Sequence, residues 1–301
     1  MDNDKLRLCL GTVQFGLDYG INNPNGKPPK EKSLEMLKFA YESGIRFFDT
    51  AAAYGNAEEI LGEFIEKNNL KGKIFITSKL APNIISENEK DIKGVVENEL
   101  RKTLAKLHVD KLYGYYLHTP SYVYNKEIMA ALQNCKNKGL TENIGVSIYE
   151  EKDALYAAEL PVDIIQIPYS VFDQRLNKTN FFEIAKKNKI KVFARSAFLQ
   201  GLLFMEENKI PDYLAEAREY VKDFKKIIGK CGFSPAEASL LFSYNNKAID
   251  GIVFGVDNID MLKEDIGIAK SGADFSECLK ELAGKFENIE KSVIFPSLWK
   301  K

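Results

Sequence analysis

Four side chains in the first half of the sequence have the types needed for acid–base chemistry on a carbonyl group: Asp49, Tyr54, Lys79 and His118. A tyrosine hydroxyl beside an ammonium group has its phenolate form favoured, so its pKa is expected to fall. A carboxylate keeps the lysine charged and oriented, and a neighbouring imidazole hydrogen-bonds the substrate oxygen. Together these residues predict a site in which Tyr54 protonates a carbonyl oxygen while a hydride reaches the carbon.

The segments around these residues are expected to bring them to one edge of a parallel sheet. Residues 45–48 form a mostly apolar run that predicts a short buried strand ending at Asp49, and similar runs end at Lys79 and His118. An unpaired lysine on a buried strand is costly, so Asp49 is the predicted partner of Lys79. Taken alone, Asp49 as a turn cap and Tyr54 as an aromatic at a core edge explain their positions equally well.

The order of the segments predicts eight strands, each followed by a helix. Short apolar strands are typical of a parallel sheet that is buried on both faces. Eight such units in 301 residues fit one closed (β/α)8 TIM barrel, so residues 1–301 are predicted to form a single domain. A doubly wound sheet is the alternative, but the glycines of 11–16 are five apart, which is the wrong spacing for a phosphate-binding turn. The predicted strands are 8–13, 45–48, 74–79, 112–117, 144–147, 163–167, 192–194 and 251–255. Among the predicted helices are one over about 211–230 and a C-terminal one near 275–291.

Composition argues against several classes of function. The chain is 45% hydrophobic and 28% charged, with a net charge of -1, which is typical of a globular protein and does not favour binding to nucleic acid. No apolar run approaches the roughly 20 residues that span a bilayer, and the N-terminus does not read as a signal peptide. The four cysteines form no CxxC pair, which predicts neither a metal site nor a disulfide framework. We therefore expect a cytoplasmic protein with free thiols, and the oligomeric state stays open.

The sequence resembles the aldo-keto reductase family through motifs that recur in order over nearly the whole chain. These motifs are Leu10–Gly16, Phe48–Gly55, Thr77–Lys79, Leu117–His118, Ile144–Ser147, Gln166–Ser170 with Arg175, and Arg195–Leu202. The resemblance implies a (β/α)8 barrel and carbonyl reduction by a nicotinamide cofactor, NADP or NAD. It also implies that Asp49, Tyr54, Lys79 and His118 are the catalytic residues, with Tyr54 as the general acid and base.

The resemblance further implies where the cofactor binds. Ser147 and Gln166 match positions that hold the nicotinamide carboxamide, and 195–202 matches a loop that lines the ring and the pyrophosphate. Residues 254–258 match the last phosphate- and adenosine-binding loop, and the helix that follows presents an N-terminus suited to an anion. The full predicted cofactor set is Gly11, Thr12, Asp49, Ser147, Gln166, Arg195, Ser196, Phe198, Gln200, Gly201, Gly255, Asp257 and Asn258.

The sequence departs from the family pattern at several positions. Ile148 stands where many members have Asn, and Arg195 stands where many have an aromatic that stacks on nicotinamide. Many members have an Arg near the position of Asp257, and that Arg binds the 2′-phosphate of NADP. An Asp at this place predicts a weakened NADP preference and allows the use of NAD. A helix cap explains Asp257 equally well. Because the first strand begins within about seven residues, the N-terminal hairpin of many relatives is expected to be absent or minimal.

Three functions stay open on the sequence. The first is an NAD(P)-dependent oxidoreductase that reduces an aldehyde, ketone or keto-sugar. The second is a cofactor-binding regulatory or partner subunit without turnover, and the third is a sugar lyase or epimerase that uses hydride transiently. Six loop residues could meet a hydroxylated substrate, although surface exposure explains them equally well: Asp18, Tyr19, Asn22, Asn23, Tyr122 and Tyr124.

Overall fold

Eight parallel strands close into a barrel in the computed structural model, which describes residues 6–299. Each strand pairs with its neighbour in the sequence, and β1 pairs with β8 to close the ring. The strands are β1 Leu8–Gly11, β2 Phe47–Asp49, β3 Phe75–Leu80, β4 Leu112–Leu117, β5 Thr141–Ser147, β6 Ile164–Pro168, β7 Lys191–Arg195 and β8 Gly251–Phe254. The predicted (β/α)8 barrel is confirmed, and closure between β1 and β8 excludes the doubly wound alternative.

Helices surround the barrel and follow the strands in the predicted order. Several begin at side chains that accept the free N–H groups of the first turn, such as Asn125 and Ser234. The helices are α1 Val13–Gly16, α2 Lys30–Glu42, α3 Ala57–Lys67, α4 Ile92–Lys106, α5 Lys126–Asn137, α6 Glu151–Ala158, α7 Phe181–Lys187, α8 Ala217–Cys231, α9 Pro235–Asn245, α10 Ile259–Lys270, α11 Ser276–Lys285 and α12 Lys291–Ile294.

Several predicted boundaries were wrong, and three of them show the physical reason. The first strand ends at Gly11, because Val13–Gly16 turns into the short α1. The helix predicted from Pro211 begins only at Ala217, after a single 3-10 turn. The C-terminal helix predicted over 275–291 ends at Lys285, where the following residue, Phe286, packs its ring 4.9 Å from that of Phe172. In each case a tertiary contact or a tight turn interrupts a segment whose periodicity alone favours continuation.

Strand register brings the chemically important residues to one end of the barrel. Gly11 pairs with Asp49, and Asp49 pairs with Thr77, so β1, β2 and β3 present these residues at one level. On the other side of the ring, Ser147 of β5 pairs with Gln166 of β6. These residues lie near the carboxyl ends of their strands, which is the end that carries the site in barrels of this type.

Termini of the described chain pack against the barrel. Leu6 and Arg7 precede β1 without forming a strand, and the expectation about an N-terminal hairpin otherwise falls on residues 1–5, which lie outside the described residues. Near the other terminus, the ring of Phe295 lies 4.5 Å beneath the guanidinium of Arg175. The apolar C-terminal segment therefore covers the loop that follows β6, while its Leu298 stays 57% exposed.

The described residues also limit what other sites the fold can hold. No helix within residues 6–299 is long and apolar enough to cross a membrane. In the same range, no cluster of three or more His, Cys, Asp or Glu side chains is arranged to hold a metal ion. All four cysteines are free thiols, and Cys231 is the one that is not fully buried.

Candidate active site

A buried ion pair between Lys79 and Asp49 lies at the centre of the site. The ammonium donates to Asp49 Oδ2 at 2.5 Å and to the carbonyl of Thr50 at 2.9 Å. The other carboxylate oxygen, Oδ1, accepts from Thr77 Oγ1 at 2.8 Å and from Gln166 Nε2 at 2.9 Å. Since both charged groups are nearly inaccessible to water, these four contacts are what make the buried pair tolerable.

Lys79 stays charged in this setting. Burial lowers its pKa, but Asp49 and Tyr54 outweigh burial, so the pKa of Lys79 is raised overall. The ammonium lies 5.1 Å from the centre of the Tyr54 ring. The site therefore holds a fixed positive charge beside the tyrosine.

Tyr54 does not have the lowered pKa that the sequence predicted. Its side chain is half-buried, and burial is the largest influence on its pKa, which is raised. Lys79 acts in the opposite direction and is the second influence in size. The expectation failed because it counted the ammonium and not the loss of water around the phenolate.

His118 is a neutral imidazole at physiological pH. Burial, Lys79 and Arg195 together lower its pKa to about 4. Its ring meets that of Tyr54 edge-on, with 5.8 Å between the ring centres. The imidazole can therefore exchange hydrogen bonds with a substrate oxygen beside Tyr54 without carrying a charge.

A chain of hydrogen bonds connects Arg195 to the central carboxylate. Arg195 Nε donates to Ser147 Oγ at 3.3 Å, and Ser147 Oγ donates to Gln166 Oε1 at 3.1 Å. Gln166 in turn donates to Asp49, as described above. Ser147 and Gln166, which were predicted to bind the nicotinamide carboxamide, thus belong to the network that holds the Asp49 carboxylate.

Arg195 itself faces the site, which sequence alone did not settle. Its guanidinium donates to the carbonyl of Ile148 at 2.9 Å and to the hydroxyl of Ser196 at 3.1 Å. It also lies 4.3 Å from the centre of the Tyr149 ring. All of its hydrogen-bond acceptors are neutral, so its positive charge adds to that of Lys79 at this end of the site.

A cleft of about 420 Å³ extends from Tyr54 and His118 along the loops that follow β7 and β8. Its volume is ordinary for a small-molecule site. Most residues of the predicted set line it: Gly11, Asp49, Tyr54, His118, Ser147, Gln166, Arg195, Ser196, Phe198, Gln200, Gly201, Gly255 and Asp257. Lys79 and Thr12 do not line the cleft, but both contact Asp49. The Lys79 ammonium donates to the Asp49 carboxylate, and the Thr12 hydroxyl donates to the backbone carbonyl of Asp49 at 3.2 Å. Asn258 lies outside the cleft and caps α10.

The loop after β7 has an unusual backbone where it borders the cleft. Ser196, Leu199 and Gln200 all have positive φ angles, of 67°, 45° and 55°. The carbonyl of Gln200 accepts from the N–H of Ile21 at 3.0 Å, so the loop after β1 lies directly against it. Backbone of this kind is costly and persists where the surroundings hold it, as at binding sites.

Carboxylates collect at the far end of the cleft. Asp257 accepts from Asn23 Nδ2 at 3.3 Å, and burial raises its pKa. Glu264 and Asp265 of α10 also line this end, and Asp265 is 4% exposed with a pKa raised by burial and then by Glu264. Among the described residues that line the cleft, Arg195 has the one cationic side chain, and it lies at the opposite end.

Sequence reasoning found some cleft residues and missed others. Of the six loop residues considered for substrate contact, Tyr19, Asn22 and Asn23 line the cleft. Tyr122 and Tyr124 lie outside it, and the hydroxyl of Tyr124 donates to Asp153 instead. The missed residues include Tyr149, Ser234, Pro235, Ala236, Met261, Glu264 and Asp265. Their spacing of three or four residues places Met261, Glu264 and Asp265 on one face of α10, but the sequence does not show which face of that helix borders the cleft.

Buried polar atoms without partners support the view that this cleft takes a polar ligand. Gln14 Oε1, Thr50 Oγ1 and His118 Nδ1 are buried at or beside it and have no hydrogen-bond partner among the described residues. Such atoms are rare in folded proteins and call for an explanation. Together with the polar groups of Ser147 and Gln166, they fit a nicotinamide dinucleotide.

Comparisons with known proteins agree with this geometry. A model of the Aldo/keto reductase family matches residues 7–278. The chain is 26% identical over 291 residues to the uncharacterized oxidoreductase YqkF of Bacillus subtilis, covering 91% of this chain and 94% of that one. It is 32% identical over 217 residues to the NADPH-dependent codeinone reductase 1-4 of Papaver somniferum, covering 64% of each. An aldo-keto reductase of Bacillus halodurans in its holo form has a similar fold, with a TM-score of 0.70, 17% identity, and coverage of 98% and 95%.

Proposed function

The chain belongs to the aldo/keto reductase family, and from this premise we propose that it reduces the carbonyl group of a small aldehyde, ketone or keto-sugar to an alcohol. In this proposal Tyr54 is the general acid and NAD or NADP is the cofactor. One observation carries it: Tyr54, His118 and the Lys79–Asp49 pair converge at one end of a cleft long enough to continue past two further loops. Membership in the family makes the protein an oxidoreductase, and the substrate and the cofactor are the parts we propose.

The residues along the cleft suit a nicotinamide dinucleotide. When bound, the cofactor would supply a hydride to the carbonyl carbon. Ser147 and Gln166 would hold its carboxamide, and their hydroxyl and amide groups are already oriented by Arg195 and Asp49. Backbone around Gly201 and Gly255 would approach the phosphates, since neither residue has a side chain that would fill the cleft.

Tyr54 would complete the reaction by protonating the oxygen. Its raised pKa keeps the hydroxyl protonated at neutral pH, ready to donate. As negative charge develops on the carbonyl oxygen, the proton moves from Tyr54 to that oxygen, and the phenolate that remains is stabilised by the Lys79 ammonium. Thr77 and Gln166 hold the Asp49 carboxylate in place, and Asp49 in turn holds Lys79. His118 orients the same oxygen as a neutral hydrogen-bond partner.

We further propose that the protein uses NAD more readily than NADP. The far end of the cleft carries the acidic side chains of Asp257, Glu264 and Asp265, and no described residue that lines this end offers a cation to a 2′-phosphate. Lys263, the nearest cation in the sequence, pairs with Asp260 at 3.3 Å. An acidic group at this end can instead accept a hydrogen bond from a free ribose hydroxyl.

The direct test is loss of nicotinamide absorbance when the protein is mixed with a panel of aldehydes, ketones and keto-sugars. Tyr54→Phe should reduce turnover by at least about a hundredfold, because it removes the proton donor and little else. Tyr124→Phe is the matched control, since that hydroxyl lies outside the cleft, and it should keep full activity. Full activity in Tyr54→Phe would refute the mechanism.

The same assay separates the other two functions. Clear cofactor binding with no turnover of any substrate would favour a regulatory or partner subunit. Conversion of a sugar that needs the cofactor but leaves its absorbance unchanged would favour a lyase or epimerase. Either result would overturn the proposed net reduction.

A further inference from the structure

Two cysteines that are distant in the sequence lie side by side between outer helices. Cys231 is the last residue of α8 and is half-buried, whereas Cys278 lies in the first turn of α11 and is 1% exposed. Helix α8 packs against α11, and Cys231 is close enough to Cys278 to add to the effect of burial in raising the pKa of the Cys278 thiol. Rings of Phe233 and Phe275, close to the two cysteines in the chain, meet edge-on with centres 5.0 Å apart and fix the approach of the two segments.

We propose that Cys231 and Cys278 are a redox-active pair that closes to a disulfide when the protein meets a peroxide. The proposal does not depend on the reaction at Tyr54. The sulfur of Cys231 attacks one peroxide oxygen, the O–O bond breaks, and water leaves once protonated, so Cys231 becomes a sulfenic acid. The sulfur of Cys278 then attacks the sulfur of Cys231, the S–O bond breaks, and a second water leaves with the proton of Cys278. Two thiols and one peroxide thus give one disulfide and two waters, and the sulfurs supply both electrons.

The surroundings assign different roles to the two thiols. Cys231 is the accessible one, so it is the sulfur that meets the oxidant. Cys278 is shielded, and burial together with its Cys231 neighbour raises its pKa to about 12. It is therefore shielded from the oxidant and protonated while Cys231 is reduced, and it loses its proton as it attacks the sulfenic acid that forms on Cys231.

The other two cysteines serve as internal controls. Cys9 is fully buried inside the barrel, and Cys135 is a fully buried residue of α5. Burial raises the pKa of both, to about 11 in the case of Cys135. Neither is expected to react with the peroxide, because reactivity follows accessibility and thiolate character.

The disulfide would enclose a functionally important part of the chain. Residues between Cys231 and Cys278 include α9, β8 and α10, and these elements supply one whole wall of the cleft, from Ser234 to Asp265. Closing this long loop should stabilise the oxidised protein and raise its thermal unfolding midpoint by about 5 °C.

Peptide mapping of the full-length protein tests the proposal. The reduced protein is treated with hydrogen peroxide, its remaining thiols are alkylated, and it is digested without reductant for mass spectrometry. We expect a linked pair of peptides that contain Cys231 and Cys278, lighter by two hydrogen atoms and separated again by dithiothreitol. Four alkylatable thiols after treatment, a link through Cys9 or Cys135, or Cys231 oxidised to a sulfinic acid without a link would each overturn it.

Two serine variants separate the steps. Cys278→Ser should stop at the sulfenic acid of Cys231, which dimedone traps, whereas Cys231→Ser should leave its three remaining thiols reduced. Cys135→Ser should still form the link, because that thiol lies elsewhere in the fold. The wild-type map decides the matter even if a variant fails to fold.

Discussion

At the scale of single residues, the chemistry depends on how Asp49 is held. Three side chains donate to its carboxylate: Thr77 and Lys79 from the neighbouring strand β3, and Gln166 from β6 across the barrel. Lys79 supplies the charge, while Thr77 and Gln166 supply neutral hydrogen bonds. A carboxylate with this many donors is fixed in one orientation, and the position of Lys79 beside Tyr54 follows from it.

Thr77→Val tests this at nearly constant side-chain volume. The change removes the donor to Asp49 Oδ1, and a lost hydrogen bond to a buried charge costs about 1–3 kcal/mol. We expect kcat to fall by about tenfold or more while the cofactor Kd changes little, which steady-state kinetics and a binding titration measure.

Ser78→Ala is the matched control for Thr77→Val. Ser78 is equally buried and also donates to a carboxylate, but its partner is Glu58 on the other side of β3, at 2.7 Å. This variant should lose stability and keep its kcat. Equal losses of kcat in both variants would mean that Thr77 acts only through the stability of the strand.

The pH dependence of reduction follows from Tyr54 and His118. Tyr54 must be protonated to act as an acid, so activity is present below its pKa and lost above it, and burial raises that pKa from the ordinary 10.0. His118 is neutral above a pKa of about 4. We therefore expect kcat/KM for carbonyl reduction to be flat from about pH 5 to about pH 9. A fall centred near neutral pH would instead support the lowered tyrosine pKa that the sequence suggested.

Sequence suggested three of the four proposed catalytic residues because each lies at the end of an apolar run. Asp49, Lys79 and His118 stand where an apolar run meets a polar loop, and that position needs no side-chain geometry. The direction of the Tyr54 pKa shift was not predictable, because it depends on how much water the folded site excludes. Arg195 was equally out of reach, since its orientation is decided by acceptors on β5 and on the residues just after it.

At the scale of elements, the loop after β8 and helix α10 act together. Asp257 lines the cleft from the loop, and Glu264 and Asp265 line it from the helix. The sequence pointed to Asp257 through its place in a motif, but it gave no sign that the helix adds to the same negative surface. That addition depends on the angle at which α10 leaves β8, which the hydrophobic pattern of α10 does not encode.

Cofactor preference tests this element. Wild-type protein should bind NADH more tightly than NADPH, and Asp257→Arg should improve NADPH binding by about tenfold or more, because it replaces a repulsion with an attraction. Fluorescence titration with both cofactors measures the two Kd values. Asp260→Arg is the control, since Asp260 is exposed, pairs with Lys263 and does not line the cleft. Tighter binding of NADPH to the wild-type protein would contradict the proposal.

At the scale of the whole molecule, the closed barrel depends on side chains that pack tightly in its interior. Cys9, Tyr116, Ile164 and Phe193 occupy that interior beneath the site. The strand count and order were predictable from the alternation of apolar runs and helices. The packing inside was not, since Tyr116 reads in the sequence as one more apolar strand residue.

Gly145 is the residue on which this packing depends most directly. It lies on β5 opposite Ile164 of β6, and a Cβ there would come within 2.2 Å of the Ile164 carbonyl oxygen and 3.1 Å of the Tyr116 ring. Gly145→Ala should therefore force β5 and β6 apart and lower the free energy of unfolding by about 3 kcal/mol or more. Urea denaturation followed by circular dichroism measures this loss.

Gly229→Ala shows whether that loss comes from crowding and not from replacing a glycine as such. Gly229 lies within α8, and a Cβ added there meets no atom within 4 Å. Alanine is the better helix former, so this variant should be more stable by about 0.5–1 kcal/mol. Opposite signs for the same chemical change would tie the stability of the barrel to the contact between β5, Ile164 and Tyr116. A Gly145→Ala protein as stable as the wild type would mean that the two strands can separate without cost, and that the interior beneath Asp49 is less tightly packed than the distances indicate.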